Sequence, residues 1–386
     1  MRCTKLIINL ADLRHNFFEI KKNAGGKIKV CASVKADAYG HGAVNCAKEL
    51  ESCGIDFLAV ATVDEGVELR KNGIKVPILM LSLCCPEEVC IAVKNNLTPL
   101  VFDEEYIDLF EKAAALENIS GFSVHLAVDS GMGRIGCMPE QAGTLAVYIT
   151  GKTHLALGGI CTHFASSDSL TQQDVDYTLR QLEKFNMACN SVEKAGINPG
   201  IRHCSSSAAS LNLPSAKFDM IRAGLILYGY YPSQITGKYL ASVGRDVNLK
   251  KVMTFQTEVA AIRPFKKGQS VSYGHTWTAS EDTLIAVLPV GYADGLRRSF
   301  SPGIKVCING KLYPVCGRIC MDQCMVNIGK DNTDVKRWDK AVIFGSCPEG
   351  NAMTADDLAE LDSTISYEIM TGISKRVPRE TLNKSY

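Results

Sequence analysis

The chain has 386 residues, with 42 Lys+Arg against 41 Asp+Glu and no block of either charge. That length suits roughly two domains with sizeable cores, and the charge balance lacks the electrostatic footprint of a nucleic-acid or membrane-surface binder. The longest mainly apolar run, Val76 to Cys85, is interrupted by Pro77 and stopped by Pro86, far short of the ~20 residues a spanning helix needs.

The N-terminus, MRCTKLIINLADLRHN, sets Asp12, Arg14 and His15 where a signal peptide would still be apolar, so a cytoplasmic protein is expected. Sixteen cysteines without one C-x-x-C pair read as free thiols in a reducing compartment rather than a disulfide framework. Cys316, Cys320 and Cys324 would share a helix face, but Pro314 and Gly317 argue for strand or loop, and no metal site is expected.

From Lys29 to Gly229 short apolar runs come in the order VCASV, FLAVAT, PILML, TPLVF, SVHLAV, GGICTHF, IRHCS and MIRAGLILYG. Between several of them lie helical stretches such as DEGVELRKNG, PEEVCIAVKNN and DEEYIDLFEKAAALEN, with acidic starts and Asn or Gly ends. Near-continuous apolar strands alternating with helices imply a parallel sheet, and eight such units predict an α/β fold of the (β/α)8 TIM-barrel type. After about Pro232 the texture changes to short alternating stretches such as TEVAAI, TLIAVLPV and KVCINGKLYPV, with a type I′ hairpin signal at Asn309-Gly310. The expected organisation is a barrel over 1–235 and a mostly β domain over 236–386, with an N-terminal strand that is a candidate to join the second domain.

Barrel chemistry belongs at the C-terminal ends of the strands. The first strand ends in Val34-Lys35-Ala36-Asp37-Ala38-Tyr39-Gly40-His41-Gly42, where desolvation would lower the lysine pKa and suit it to Schiff-base chemistry. Later strands end in Asp129 to Arg134, Thr162-His163, His203 to Ser207 and Arg222-Ala223-Gly224-Leu225. Ser205 to Ser207 and the free backbone of Gly224 are suited to hold a dianionic phosphate.

The segments VKADAYGHG, DSGMGRIG, THFA, PVGYADG, GRICMDQ and ISYEIMTGISKRVPR resemble, in order and spacing, the signature segments of the bacterial alanine racemase family. The resemblance implies a pyridoxal 5'-phosphate enzyme, an isomerase built as a head-to-tail homodimer. Each active site would be completed by the partner's β domain, with alanine as substrate and D-alanine supplied for peptidoglycan. It implies Lys35 as the cofactor-bearing lysine and Tyr39, Ser207, Gly224, Leu225 and Tyr367 as phosphate ligands, with Arg222 facing the pyridine nitrogen. His163 would lie beside the ring, and Tyr273 would act as the second base opposite Lys35. Arg134 and the backbone of Met321 would hold cofactor oxygen and substrate carboxylate, and Tyr292 would guard the access channel.

Racemisation needs two acid/base groups on opposite faces of one carbon, a role Lys35 and Tyr273 would share. A phenol titrates at ~10 in water, so Tyr273 needs positive charge or donors nearby, which His163 and Arg222 would supply. Two positions depart from the family pattern. Ser206 stands where Asn is common, and Ala127 stands where a lysine, carbamylated in many members, helps orient Arg134; Asp129 or a bound anion is the expected replacement. The runner-up reading is a serine or broad-specificity racemase of the same family. A decarboxylase fits the tyrosine and RICMD pattern less well, and a non-catalytic pyridoxal-phosphate carrier would not need the β domain.

Overall fold

The computed structural model describes residues 2–383. The chain forms two compact units, one of 13–38 and 43–250, the other of residues up to Asp12, Tyr39–Gly42, and those from Lys251 onward. The opening strand, β1 (Lys5–Asn9), belongs to the second of these.

In the first unit the strands are β2 (Lys29–Ser33), β3 (Phe57–Val60), β4 (Ile78–Met80), β5 (Leu97–Thr98), β6 (Leu100–Val101), β7 (Phe122–Ala127), β8 (Leu155–Cys161), β9 (Ile201–His203) and β10 (Met220–Ala223). All pairings are parallel, in the orders β10-β2-β3-β4-β5 and β6-β7-β8-β9. β5 and β6 are the two halves of one strand, split by Pro99, which has no N–H to give the ladder; the first half pairs with β4 and the second with β7. Between β9 and β10 the amides of Asp219 and Arg222 reach the carbonyls of Arg202 and Ser205 at 3.1 and 2.9 Å, which closes the ring. Each apolar run in the sequence has become a barrel strand.

The barrel is filled rather than hollow. Cys31, Phe57, Ala59, Leu79, Leu100, Ala127, Cys161 and Met220, from seven strand positions, form one buried cluster, the layered interior expected of the fold. Intervening helices start on side-chain caps. Thr62 and Glu65 make a reciprocal capping box, and Asp103 accepts from the Tyr106 amide, satisfying amides the helices leave unpaired.

The division between units falls at Lys251, not at 236. Residues 236–250, expected to begin the β domain, cluster with the barrel because their polar groups are tied there. Asn16 exchanges two hydrogen bonds with the Lys250 backbone, each 2.7 Å, and Arg245 donates to the carbonyls of Leu211 and Asn212.

The other unit is mostly β. β11 (Met253–Glu258), β12 (Ala261–Phe265), β13 (Ser270–Val271), β14 (Trp277–Thr278), β15 (Thr283–Leu288), β16 (Lys305–Ile308), β17 (Lys311–Pro314), β18 (Cys324–Gly329), β19 (Lys340–Phe344) and β20 (Arg379–Leu382) form three sheets. The largest runs β17-β16-β19-β11-β1-β20, so the N-terminal strand lies between β11, antiparallel, and β20, parallel. Asn309 and Gly310 both take positive φ in the hairpin joining β16 to β17, as a type I′ turn requires. Asp294, wholly buried, is held by Arg2 and Arg376. Burial alone would raise its carboxyl, but hydrogen bonds from the two arginines outweigh that and hold it below the usual range.

Candidate active site

β2 delivers Lys35 to the C-terminal mouth of the barrel. Directly after it, Ala36, Asp37, Ala38 and Tyr39 all take left-handed φ, 51°, 54°, 52° and 55°, although such backbone costs a non-glycine residue roughly 1–2 kcal/mol. Neighbouring bonds hold the strained turn. The Ala38 amide donates to Val34 O, Glu65 accepts from the Ala36 amide at 2.6 Å, and Asp37 accepts from the Ala43 amide at 2.7 Å. Burial first, and then the charge of Arg134, lowers the Lys35 ammonium pKa; Glu65 opposes the shift and Arg222 adds to it. A lysine amine, an exposed arginine and a buried arginine therefore share one electrostatic neighbourhood.

Arg222 is its hub. The guanidinium, 7% exposed, donates to His203 Nδ1 at 2.7 Å, His203 O at 2.9 Å, Thr162 O at 2.8 Å, His163 Nδ1 at 3.2 Å and Cys204 O at 3.4 Å. Every partner is neutral, and among the described residues no carboxylate pairs with it. Its uncompensated charge, added to burial, keeps the surrounding imidazoles neutral. His163 is pushed down to about 3, by burial and then by Arg222, Arg134 and Lys35, and His203 falls well below its ordinary value.

Past β9, the turn Ser205 to Ser207 leads into the helix Ser207–Asn212. Ser207 Oγ accepts from the Gly224 amide at 3.0 Å, which places a hydroxyl against the backbone that begins the short helical turn Leu225–Tyr228. Behind these loops Gln181, 1% exposed, accepts from the Ala165 amide and donates to His163 O, while Ser130 Oγ and Thr162 Oγ1 lie 2.8 Å apart.

In the β unit the motifs SYGH, PVGYADG and GRICMDQ meet through backbone. Ser272, at φ 69°, donates to Arg318 O at 2.6 Å, and a Cβ at Gly317 would come within 2.6 Å of Val271 O. The Tyr292 and Ala293 amides donate to the carbonyls of Cys320 and Met321, both at 3.0 Å. Tyr273, Tyr292 and Met321 are thus gathered on one loop cluster, yet these residues remain 68%, 42% and 53% exposed. Tyr39 and Tyr367, also of this unit, pack with ring centroids 5.8 Å apart.

Residues 8–232 match the family model "Alanine racemase, N-terminal domain" and residues 252–381 match "Alanine racemase, C-terminal domain". The chain belongs to the alanine racemase family. It is 46% identical to an alanine racemase of Treponema denticola over 98% of both chains, and 42% identical to alanine racemase 1 of Clostridium acetobutylicum over 96% and 93%. The solved alanine racemase of Clostridium difficile 630 superposes with a TM-score of 0.91 at 38% identity, covering 99% of this chain and 96% of that one.

Against the pattern of the alanine racemase family, the barrel unit brings together Lys35, Arg134, His163, Ser207, Arg222, Gly224 and Leu225. The β unit brings together Tyr273, Tyr292 and Met321, and separately Tyr39 and Tyr367. Sequence reasoning missed the depth of the polar network. His125 lies inside the predicted strand SVHLAV, and His203 ends IRHCS. Both are buried at 1% and 0% and linked by a 2.8 Å bond. A histidine at an inward position of a strand that otherwise reads as apolar was the available signal. Among the described residues no group of three or more His, Cys, Asp or Glu is arranged for a metal, the sixteen cysteines form no disulfide, and no helix is long and apolar enough to cross a membrane.

Proposed function

We propose that this chain interconverts L- and D-alanine in the cytoplasm with pyridoxal 5'-phosphate, supplying D-alanine for peptidoglycan, and that it works as a homodimer with shared sites. The supporting observation is a pairing at one barrel mouth: a lysine whose amine is disposed to lose its proton, and a buried arginine with only neutral partners. The donor set suits the cofactor. Lys35 would offer an amine for its aldehyde, the Ser207 hydroxyl and the Gly224–Leu225 backbone would offer groups for its phosphate, and Arg222 would offer a permanent cation for its ring nitrogen. When bound, the cofactor withdraws electron density from the substrate α-carbon and so acidifies the α-proton.

The chain's own groups then divide the work. Lys35, its ammonium pKa lowered by burial and then by Arg134, takes or returns the α-proton on one face, and Tyr273 of the partner subunit serves the other. Because Arg222 donates to His163 Nδ1, a neutral His163 carries its proton on Nε2, where it is a donor for the phenolic oxygen. Arg222, a permanent cation, would disfavour a proton on a ring nitrogen held beside it and so would limit how far the ring acts as an electron sink. Arg134 and the Met321 backbone hold carboxylate and cofactor oxygen, and Tyr292 narrows the approach. Tyr273 is 68% exposed on its own loop cluster, a disposition that suits a residue serving another subunit.

The test is exchange of the α-hydrogen with deuterium from solvent, run separately on L- and D-alanine, L-serine and L-lysine. Exchange of both alanine enantiomers with kcat/KM above that for serine supports the reading. Faster exchange of serine, or of several side chains alike, replaces it with the serine or broad-specificity racemase.

A further inference from the structure

A one-way chain of imidazoles runs from Arg222 into the barrel interior. Arginine only donates, so the 2.7 Å bond from its Nη1 requires a bare lone pair on His203 Nδ1. A neutral His203 must then carry its proton on Nε2, which lies 2.8 Å from His125 Nδ1. His125 must accept there and carry its own proton on Nε2. One permanent cation thus dictates the tautomers of two buried rings in series.

The barrel wall is shaped around the inner ring. The register of β7 against β8 slips between Val124 and His125, so that Val124 faces Leu157 while His125 faces Gly159, and Gly158 is the extra residue. A Cβ at Gly159 would lie 2.5 Å from Ile201 O and 2.8 and 2.9 Å from His125 Cε1 and Nδ1, and one at Gly158 would lie 3.2 Å from His125 Nε2. Two adjacent glycines weaken a strand; here, beside a bulge, they make room for an imidazole. Burial and the charge of Arg222 also hold His125 down to about 4, consistent with a neutral acceptor at pH 6 and above.

We infer that His125 is a positioning residue for the reaction: by accepting from His203 Nε2 it holds His203 in the tautomer and ring orientation whose Nδ1 receives Arg222, and so fixes the plane of that guanidinium. Without an acceptor, the buried N–H of His203 is stranded, and its relief is a rotated ring that no longer meets Arg222. The consequence for catalysis rests on the proposed role of Arg222 beside the cofactor ring; the tautomer chain does not.

Two measurements on the holoenzyme test this separately. With only seven histidines in the chain, 15N-histidine labelling and long-range 1H–15N correlation, assigned by single substitution, report each ring. His203 and His125 should both show protonated Nε2 and bare Nδ1 from pH 8 to pH 6. Protonation at Nδ1 of either ring overturns the inference. The second measurement is kinetic. His125→Phe fills the space but removes the acceptor, and should lower kcat about tenfold with KM within about twofold. His125→Asn, whose Oδ1 replaces Nδ1, should recover most of the loss and keep the Nε2 proton of His203. Equal losses in both variants, or a Phe variant as fast as the parent, overturn the positioning role. If His125→Phe fails to fold, the Asn variant and the ring spectra of the parent decide the question. Should the spectra agree while alanine shows no α-exchange in the parent, it is the functional reading that falls and the relay that stands.

Discussion

The barrel unit and the β unit prepare their functional groups in opposite ways. In the barrel, Arg222 is buried with its donors committed to neutral acceptors, and burial together with its charge keeps its imidazole partners neutral. The chemistry there is preorganised by the chain itself. In the β unit the loops are held in place while three of the functional side chains they carry are not enclosed. Ser272 and the carbonyls of Cys320 and Met321 lock three loops together, while the side chains of Tyr273, Tyr292 and Met321 remain in solvent. One unit holds charge where water cannot screen it, and the other presents groups on a rigid rim. If the proposed homodimer shares its sites, that contrast would set a dry pocket of one chain against a stiff, exposed lip of the other.

The largest expected effect tests the barrel half alone. Lys35→Ala removes the amine without disturbing Arg222, and racemisation should fall by at least about a thousandfold, the scale of losing a nucleophile or base. The purified parent should be yellow, and borohydride followed by peptide mapping should find cofactor on Lys35. Label on another lysine would remove the assignment and, with it, the meaning given to the buried arginine.

Acid separates the two units next. His125 and His163 are held at about 4 and about 3, and His203 well below the ordinary value, whereas unfolded imidazoles titrate at ~6.5. As pH falls below ~6.5 the unfolded chain binds protons that the barrel does not, so stability drops with falling pH. Each histidine contributes about 1.4 kcal/mol per pH unit within its window, which closes near pH 4 for His125. In the β unit the buried Asp294 has its carboxyl lowered, so its contribution persists until pH falls through the carboxylate range. Amide hydrogen exchange at pH 7 and pH 5, corrected for intrinsic rates, should show protection lost in β7 to β10 and retained in β11, β15 and β19. Equal loss in both units would break the contrast.

Subunit mixing examines the rim. If Lys35→Ala and Tyr273→Phe chains are co-refolded in equal amounts, about half the dimers are hybrids with one intact site of two, and roughly a quarter of parental activity should return. Confirmed hybrids without activity would mean that Tyr273 serves its own barrel, and that its exposure has another explanation.

What the sequence made legible follows the same divide. All eight barrel strands stand out because a parallel strand buried on both faces must be apolar along its length, and Lys35 stands out because it ends one. The left-handed turn after it was not legible, since Ala-Asp-Ala-Tyr carries no glycine to announce positive φ, and only the bonds to Glu65, Val34 and Ala43 make it tolerable. His125 hid because one polar residue in an apolar strand looks the same whether it is an isolated structural histidine or the end of a relay. The end of the barrel unit hid because residues 236–250 are polar and loop-like, and their attachment runs through Asn16 and Arg245, pairings that no local pattern encodes.

The smallest effect concerns Arg134, the barrel group that most resembles the rim. The sequence suggested that with Ala127 in place of a lysine something negative must orient this arginine, Asp129 or a bound ion. Ala127 instead lies in the barrel core with Cys31, Ala59 and Cys161. Asp129 Oδ1 accepts from the Gly131 and Gly133 amides at 2.9 and 3.0 Å, so it shapes its own loop. Arg134 itself is exposed, which removes the desolvation penalty on which the need for an anion rested. An exposed guanidinium gains only ~0–1 kcal/mol from a paired anion. Racemisation in chloride-free and carbonate-free buffer should therefore rise by less than about fivefold when chloride is restored, and not at all with bicarbonate, because position 127 has no amine to carbamylate. Stimulation by bicarbonate alone would reveal a carbamylated group elsewhere. A halide effect of tenfold or more would mean that Arg134 becomes buried in the working enzyme, placing it with Arg222 among the groups whose charge is shielded from water.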